Sequence, residues 1–343
     1  MKKATIISID LAKNIFQILG VSGEGKTIFN RRLNRVKLIE FISQHPVCSI
    51  VMEACYSSHY WGRTFEEMGH AVKLIPAQHV TPFVRGNKND KNDALAIYEA
   101  SLRPHIRFVP IKSELQQEIL SIHKIRERLI KQKTACMNQI RGLLVNFGLF
   151  MPQGHCAFEL EMKSLIHEKP TRPYLKELVK DAYQEFLGLK ERLKRMEKML
   201  QELASTQKSH SILMSIPGVG PIIASAFSAS IDQGQAFKNP KELAVWLGLT
   251  PRQYASGTHT VNKGITKRGN SYLRKQLIHG ARAIMPRAEK KNDDFSRWVS
   301  ELRLRKHACC AVVAVAHKIA RLMWILLKKQ EVYQPQYEKA ITC

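Results

Sequence analysis

The fold is decided by the stretch TIISIDLAKNIFQILGVSGEGKTIFNRR (residues 5–32), which contains three short β-prone runs. The runs are Thr5–Ile9, Phe16–Val21 and Thr27–Arg32, and turn residues such as Ser22-Gly23-Glu24-Gly25 separate them. Connections this short join neighbouring antiparallel strands. The stretch therefore predicts three strands in hairpin order at the start of a sheet.

Helical and β-prone segments alternate after this stretch. We predict helices over Lys37–Gln44 and Ser58–Met68, and strands over Ser49–Met52 and Ala71–Ile75. A hairpin start followed by β-α-β units predicts a mixed sheet with helices on its faces, which is an α/β domain. We assign this domain to residues 1–110.

The next part of the chain changes to a helical pattern. Residues 113–147 carry apolar side chains at helical spacing, and a second long amphipathic stretch covers residues 174–206. We predict a helical hairpin or coiled coil within residues 111–208. The Gly- and Pro-punctuated remainder, with an apolar helix over Ala308–Lys328, predicts a mostly helical domain at 209–330 and a tail at 331–343.

The charge points to a polyanionic partner. The 343 residues include 54 Lys and Arg against 29 Asp and Glu, a formal net charge of +25. Residues 111–343 hold 39 basic and 20 acidic residues, and Arg252–Lys306 alone holds 14 and 4. Such an excess favours nucleic acid as partner. A hydrophobic share of 44% excludes disorder along the whole chain.

Membrane and zinc-binding functions are not expected. The apolar run Ala308–Ala316 ends at His317, whereas a spanning helix needs about 20 residues. The N-terminus lacks a small-residue cleavage site, and the seven cysteines contain no CxxC pair. We therefore predict free thiols and a cytoplasmic, nucleoid-associated prokaryotic protein.

Four acids form the first candidate site. Asp10 and Glu53 end apolar strands, while Asp90 and Asp93 lie one helical turn apart at a predicted helix start. Such carboxylates can converge as ligands for Mg²⁺, with Mn²⁺ as a possible substitute. The alternative is that Asp90 and Asp93 cap a helix and that Asp10 and Glu53 are solvated.

The sequence around Asp10 separates two enzyme classes. Actin-like kinases need a glycine beside their first acid, as in D-x-G, and here the run is Asp10-Leu11-Ala12. This argues against nucleotide binding, so we assign no cofactor-binding residues. Acids on two different strands fit a RuvC-like (RNase H-like) nuclease better than a DEDD exonuclease, whose first two acids are two residues apart.

A glycine-rich turn forms the second candidate site. The stretch SIPGVGP at residues 215–221 precedes an apolar helix, and Gly218 and Gly220 can let a phosphate approach backbone N–H groups. This resembles a helix-hairpin-helix DNA-binding element. The alternative is a helix–helix corner packed by small residues.

The third candidate site is the basic segment at residues 248–274. Ser256 precedes Gly257 in a segment without local Asp or Glu and with His259 nearby. A serine hydroxyl can attack phosphorus where cations or metals offset the developing charge. The residues assigned to phosphate or nucleic-acid contact here are Arg252, Lys263, Lys267, Arg268, Asn270 and Arg274. Taken alone, Ser256 is one loop serine among many.

These motifs occur in one order. They are Asp10 in SIDLAK, Glu53 in MEAC, Asp90 and Asp93 in NDKNDA, PGVGPIIA at 217–224, and the run from GLTPRQYASG to KGITKRGNSYLR at 248–274. The order resembles that of the DEDD-type insertion-sequence transposases, the family that includes the pilin-gene invertases and the bridge-RNA-guided recombinases. The likeness extends over about residues 4–285.

The resemblance implies a RuvC-like domain, a coiled-coil region and a transposase domain with a serine nucleophile. It places the metal-binding tetrad on Asp10, Glu53, Asp90 and Asp93 and the nucleophile on Ser256. Family members often have two serines before the glycine, whereas Ala255 precedes Ser256 here. The implied partners are donor DNA, target DNA and a structured noncoding guide RNA, in a homodimer or homotetramer.

Two other functions stay open at this point. A RuvC-like junction-resolving nuclease or water-activating transposase would cut at the metal site and leave Ser256 a structural role. A non-catalytic nucleic-acid-binding protein would use the four acids only as helix caps.

Overall fold

The first three strands follow the alternation of residues 5–32. In the computed structural model, which describes residues 4–85, 90–167, 172–257 and 259–335, they are β1 (Ile6–Asp10), β2 (Ile15–Val21) and β3 (Thr27–Asn34). Both neighbouring pairs are antiparallel. The predicted hairpin order is confirmed.

Two more strands complete a mixed sheet. Strands β4 (Ser49–Glu53) and β5 (Ala71–Ile75) are parallel to β1, and the sheet order is β3-β2-β1-β4-β5. The helices of this part are α1 (Arg35–Gln44), α2 (Ser58–Glu67), α3 (Ala77–Val80) and α4 (Asp90–Ser101), with a 3₁₀ turn at Thr81–Phe83. The α/β mixed sheet is confirmed, and the RuvC-like identity of the fold stays a prediction.

The sheet buries a different core on each face. Because side chains alternate along a strand, Ile7 and Ile9 of β1 lie on one face, in the cluster that includes Trp61 of α2. Ser8 and Asp10 lie on the other face. There Val51 packs with Ile97 of α4. Helix α4 therefore covers the face that carries Asp10.

The chain divides into two compact units, Met1–Glu114 and Leu115–Cys343. The predicted helical region and the predicted C-terminal domain thus fall within one unit. The elements of this second unit are α5 (Glu114–Val145), α6 (His155–His167), α7 (Pro173–Ser205), α8 (Lys208–Met214), α9 (Pro221–Ile231), α10 (Pro240–Trp246), β6 (Pro251–Ser256), β7 (His259–Ile265), α11 (Ser271–Ile284), a 3₁₀ turn at Met285–Lys290, α12 (Asp294–Arg305) and α13 (Ala308–Lys329).

Helices α5 and α7 form an antiparallel hairpin. The Arg126 Nε atom donates to Glu197 Oε1 at 2.9 Å, and Cys136 Sγ donates to the carbonyl of Ala182 at 3.2 Å, so the chain directions are opposed. Helix α6, which the sequence did not predict, adds Phe158 to their apolar core. The predicted hairpin is thus present, and a coiled coil between chains stays a prediction.

Helix α13 lies in the core of the C-terminal part. Among the described helices it has the length and apolar composition to cross a membrane, but half of its most apolar window is buried inside the protein. Its fully buried side chains include Val315, Ile319 and Met323. The apolar stretch of α13 therefore extends beyond His317, where the sequence analysis ends it, and burial in the core accounts for about half of its apolar window. The six cysteines in the described residues are free thiols.

Strands β6 and β7 form the main departure from the predicted architecture. The sequence predicts a loop at Ser256, whereas these residues pair as an antiparallel two-stranded hairpin. Nearly every residue of both strands is exposed. A strand that buries neither face has no apolar alternation, so the usual strand pattern was absent.

Candidate functional site

The sheet places Asp10 and Glu53 side by side. Strands β1 and β4 are parallel with Ile9 opposite Met52. Asp10 and Glu53 are the next residues, and both strands end there. Both side chains are half-buried. Strand pairing therefore brings two acids, 43 positions apart in the sequence, to one edge of the sheet.

A buried hydrogen bond positions α4 over the same edge. Ser8 Oγ donates to the carbonyl of Ala94 at 2.7 Å, and Ser8 is fully buried. Ser8 shares its sheet face with Asp10, and Asp93 directly precedes Ala94. The bond thus fixes the start of α4, with Asp93, on the Asp10 face. Sequence reasoning missed this role, although a serine inside an apolar strand is itself a signal.

Asp90 is more exposed than Asp10, Glu53 and Asp93. Its carboxylate is exposed and accepts an ion pair from Arg32 Nη2 of β3 at 3.0 Å. Within the described residues, no three carboxylate, imidazole or thiol side chains are grouped closely enough to hold a metal ion as they stand. The donor chemistry still fits Mg²⁺, since carboxylate oxygens are its usual protein ligands.

The glycine-rich turn is a corner between α8 and α9. Gly218 has φ +78°, and a Cβ atom there would lie 2.4 Å from Ile284 Cδ1 and 2.8 Å from the carbonyl of Gly280. Close packing against α11 therefore explains Gly218, and the structure supports the packing alternative for this residue. Gly220 has an ordinary backbone and open space around it, so phosphate contact stays a prediction for Gly220.

The two glycines give a matched pair of substitutions. Gly218→Ala should destabilise the second unit by about 2 kcal/mol or more, because the methyl group overpacks the corner and φ is positive. Gly220→Ala should stay within about 1 kcal/mol of the wild type, because nothing lies within 4 Å of the new atom. Urea unfolding of both variants measures the difference. Equal stabilities would contradict the packing role of Gly218.

The β6–β7 hairpin presents Ser256 beside His259. The two residues are direct cross-strand partners, as are Tyr254 and Val261. Directly opposite residues lie on one face of a hairpin, so Ser256, His259 and Tyr254 share a face. The ammonium group of Lys263 lies 4.8 Å from the centroid of the Tyr254 ring. Cations and an aromatic ring thus lie on the strands that carry the exposed Ser256 hydroxyl.

The basic segment separates into exposed and structural residues. Arg252, Lys263, Lys267 and Arg268 are exposed, and phosphate contact stays a prediction for these four. Arg274 is only 9% exposed, and its Nη1 atom donates to the carbonyls of Leu247 and Arg268 at 2.8 and 2.7 Å.

The prediction of phosphate contact is therefore wrong for Arg274, whose guanidinium holds the loop before α11. Burial also lowers the pKa of this guanidinium below its usual value. The side chain of Asn270 caps α11 by accepting from the Leu273 N–H at 3.0 Å, and its contact with nucleic acid stays a prediction. An arginine inside a basic segment gives no sequence signal of burial. The cap at Asn270 was recognisable from its place before a helix.

A buried histidine ties three helices together. His123 of α5 bonds the Tyr272 hydroxyl of α11 through Nδ1 at 2.9 Å and Ser225 Oγ of α9 through Nε2 at 3.1 Å. Burial, and next the charge of Arg126, lower the pKa of His123 to about 4. The imidazole is therefore neutral at neutral pH.

From the lowered pKa of His123 we predict that the protein loses stability in mild acid. The unfolded chain takes up the proton near its ordinary pKa of about 6.5, whereas the folded chain resists it down to about pH 4. The contribution of His123 to the free energy of unfolding is therefore fully present above about pH 6.5. It decreases as the pH falls, by about 2 kcal/mol at pH 5. His123→Gln should remove this part of the pH dependence in urea unfolding, and the exposed His105→Gln should retain it. An unchanged dependence in His123→Gln would exclude His123 as the source.

Comparison with known proteins covers both units. A family model described as the Transposase IS116/IS110/IS902 family matches residues 210–297, and a DEDD transposase model of the IS110 type matches residues 7–148. A probable family 20 transposase of Pseudomonas aeruginosa is 40% identical over 332 residues, which cover 96% of this chain and 98% of the relative.

Two insertion-sequence proteins extend the comparison. The transposase for insertion sequence element IS1111A of Coxiella burnetii is 40% identical over 97% of this chain and 92% of its own length. The transposase for insertion sequence element IS1328 of Yersinia enterocolitica is 34% identical over 97% of this chain and 99% of its own length. With matches at this identity over nearly the whole length, the chain belongs to the DEDD-type IS110/IS116/IS902 family of insertion-sequence transposases, which are DNA-rearranging enzymes.

Proposed function

We propose that this transposase cuts and rejoins DNA through a covalent bond between Ser256 and a DNA phosphate, guided by a structured noncoding RNA. The observation that carries the proposal is the place of Ser256, exposed at the end of β6 and paired with His259. A nucleophile must be accessible to its phosphodiester, and a neighbouring base can take its proton.

The four acids have a separate role in this proposal. Asp10, Glu53 and Asp93 would hold Mg²⁺, or Mn²⁺ in its place, with Asp90 joining them after release from Arg32. A divalent cation bound there supplies Lewis-acid stabilisation of charge on the scissile phosphate. The acids and Ser256 would take part in the same recombination reaction. The adjacent strand ends and the Ser8–Ala94 bond support this assignment.

The serine step conserves atoms and charge. The Ser256 Oγ–H proton passes to the imidazole of His259 while Oγ forms a bond to phosphorus. The phosphorus–oxygen bond to the departing DNA strand breaks, and that oxygen takes a proton from water. On rejoining, a DNA hydroxyl attacks the phosphorus and gives its proton to the hydroxide left by the first step. The phosphorus–Oγ bond breaks, and Oγ takes its proton back from the imidazolium. The ester retains the bond energy, so no high-energy cofactor is needed.

The exposed cations would bind the nucleic-acid backbone. Arg252, Lys263, Lys267 and Arg268 can contact phosphates without reading sequence, while base pairing with the guide RNA would select donor and target DNA. Exposed apolar side chains near the end of the α5–α7 hairpin, such as Tyr174 and Leu178, support self-association into a dimer or tetramer.

RNA guidance has a direct test. The protein is combined with a DNA substrate that carries the element's ends, with and without RNA transcribed from the noncoding flank of the element, and the joined products are sequenced. We expect joining only with the RNA. Changing the RNA segment that matches the target should redirect insertion to the new complement. Equal joining after ribonuclease treatment would refute RNA guidance and leave the serine step untouched.

A further inference from the structure

A cavity lies at the base of the β6–β7 hairpin. Its volume is about 740 Å³, and it is lined by residues of the hairpin and of the segments beside it, by Trp298 of α12, and by residues of α13 between Cys309 and Arg321. This volume is within the range of about 300–1,000 Å³ that is typical of small-molecule sites. The four acids and Ser256 are not among its lining residues, whereas Lys263 and Lys267 of the basic segment are.

The charge of the lining is positive. Lys263 and Lys267 come from the hairpin and the loop after it, and Lys318 and Arg321 come from α13. None of the described residues that line the cavity is acidic. The formal charges of these lining side chains are all positive, so they attract an anion and disfavour a cationic ligand.

The walls between these cations are apolar and aromatic. Leu249, Ile265 and Val313 supply aliphatic surface, and Trp298 of α12 supplies an indole ring. The Lys318 ammonium lies 3.9 Å from the centroid of one Trp298 ring, a cation–π contact that holds the ring in place. An apolar, aromatic wall with cations beside it fits a planar heterocycle that carries a phosphate.

His317 adds a hydrogen-bonding group to this wall. Burial, and next the charge of Arg321, lower the pKa of His317. A neutral imidazole presents one donor and one acceptor, which suits the edge of a nucleobase.

We propose that this cavity binds a single unstacked nucleotide of the nucleic acid held by the transposase. The base would lie against Trp298 and the aliphatic wall, and the phosphate would contact Lys263 and Lys267. Stacking of the extruded base on an aromatic ring offsets part of the cost of taking it out of its stack. The inference rests on nucleic-acid binding and is independent of the serine step. Nucleotides of DNA and of RNA both carry an aromatic base and a phosphate, so the proposal applies to either nucleic acid.

Two exposed thiols allow a direct test. Cys309 and Cys310 line the cavity, and Cys156 of α6 is an exposed thiol outside it. The full-length protein is alkylated with iodoacetamide, with and without short single-stranded DNA or RNA, and each cysteine is followed by mass spectrometry. With oligonucleotide at about ten times its Kd, labelling of Cys309 and Cys310 should slow about tenfold. The rate at Cys156 should not change.

A pair of variants separates base binding from general charge. Ala314→Glu places a carboxylate in the cavity and should abolish the protection, whereas Val245→Glu on the exposed surface of α10 should retain it. An abasic oligonucleotide of equal length should protect poorly. Protection by DNA alone or by RNA alone would assign the source of the nucleotide.

Three outcomes would overturn the inference. The first is unchanged labelling of Cys309 and Cys310 with both nucleic acids at saturation. The second is equal protection by the abasic oligonucleotide, which would make the cavity a phosphate site only. The third is protection that rises with protein concentration without nucleic acid, which would assign the cavity to a second copy of the chain.

Discussion

Ser256→Ala should abolish the formation of covalent protein–DNA adducts and all strand joining, with folding and nucleic-acid binding unchanged. Ser256 is exposed at the end of β6, and substitutions at such surface positions change stability by about 0.5 kcal/mol or less. The variant removes only the attacking oxygen. Without it, the cations and acids can still bind DNA, but no atom is left to form the phosphoserine bond.

The assay is a denaturing gel of labelled DNA after incubation with protein, Mg²⁺ and RNA. The wild type should give a slow band that protease removes, and Ser256→Ala should give none. Thr260→Ala is the matched control, because Thr260 pairs with Ala255 on the opposite face of the same hairpin. His259→Asn should slow adduct formation without abolishing it. Normal cleavage by Ser256→Ala, with free DNA ends, would instead support a water-activating nuclease.

Asp10→Asn should lower recombination by more than about 100-fold and leave DNA binding within a few-fold of the wild type. Replacing a residue that only supports a metal ligand lowers metal affinity or activity by about 10–100-fold. Replacing a direct ligand should lower activity further. The substitution retains shape and removes one negative charge. Binding should persist because phosphate contacts dominate nucleic-acid affinity.

A readout independent of activity accompanies this prediction. Binding of Mg²⁺ to the folded protein should raise the unfolding temperature of the wild type, and Asp10→Asn should lose that rise. The matched control is Glu67→Gln, which makes the same chemical change at an exposed position of α2 in the same unit. If Asp10→Asn recombines like the wild type, the tetrad assignment is wrong. If Asp10→Asn loses recombination but Mg²⁺ still raises its unfolding temperature, residues other than the tetrad hold the metal.

The central strands β1, β2 and β4 were predictable because most of their residues are buried. Thr5–Ile9 and Ser49–Met52 carry apolar residues that have to be covered by helices, so pattern alone gives both the strands and their layers. The ends of β1 and β4 then follow, and with them the places of Asp10 and Glu53. The ion pair of Asp90 with Arg32 depends on three-dimensional proximity that no local pattern encodes.

The C-terminal part was harder to predict for the opposite reason. Strands β6 and β7 bury almost nothing, and Arg274 is a charged residue that the core surrounds. Sequence composition suggests that strands are at least partly buried and that an arginine is exposed, and the structure shows the opposite for β6, β7 and Arg274. The glycine at 218 was recognised as special, but sequence alone did not separate phosphate approach from helix packing. Only the position of Ile284 and Gly280 against it decides between them.

The exposure of the β6–β7 hairpin has a consequence for evolution. Residues such as Tyr254 and Val261 contribute little to the core, so their replacement changes stability by about 0.5 kcal/mol or less. Substitutions beside Ser256 can then accumulate during evolution without unfolding the enzyme. The loop held by Arg274 has no such freedom, because its carbonyls depend on one buried guanidinium. Descendants of this element can therefore diversify on the hairpin while inheriting an unaltered scaffold.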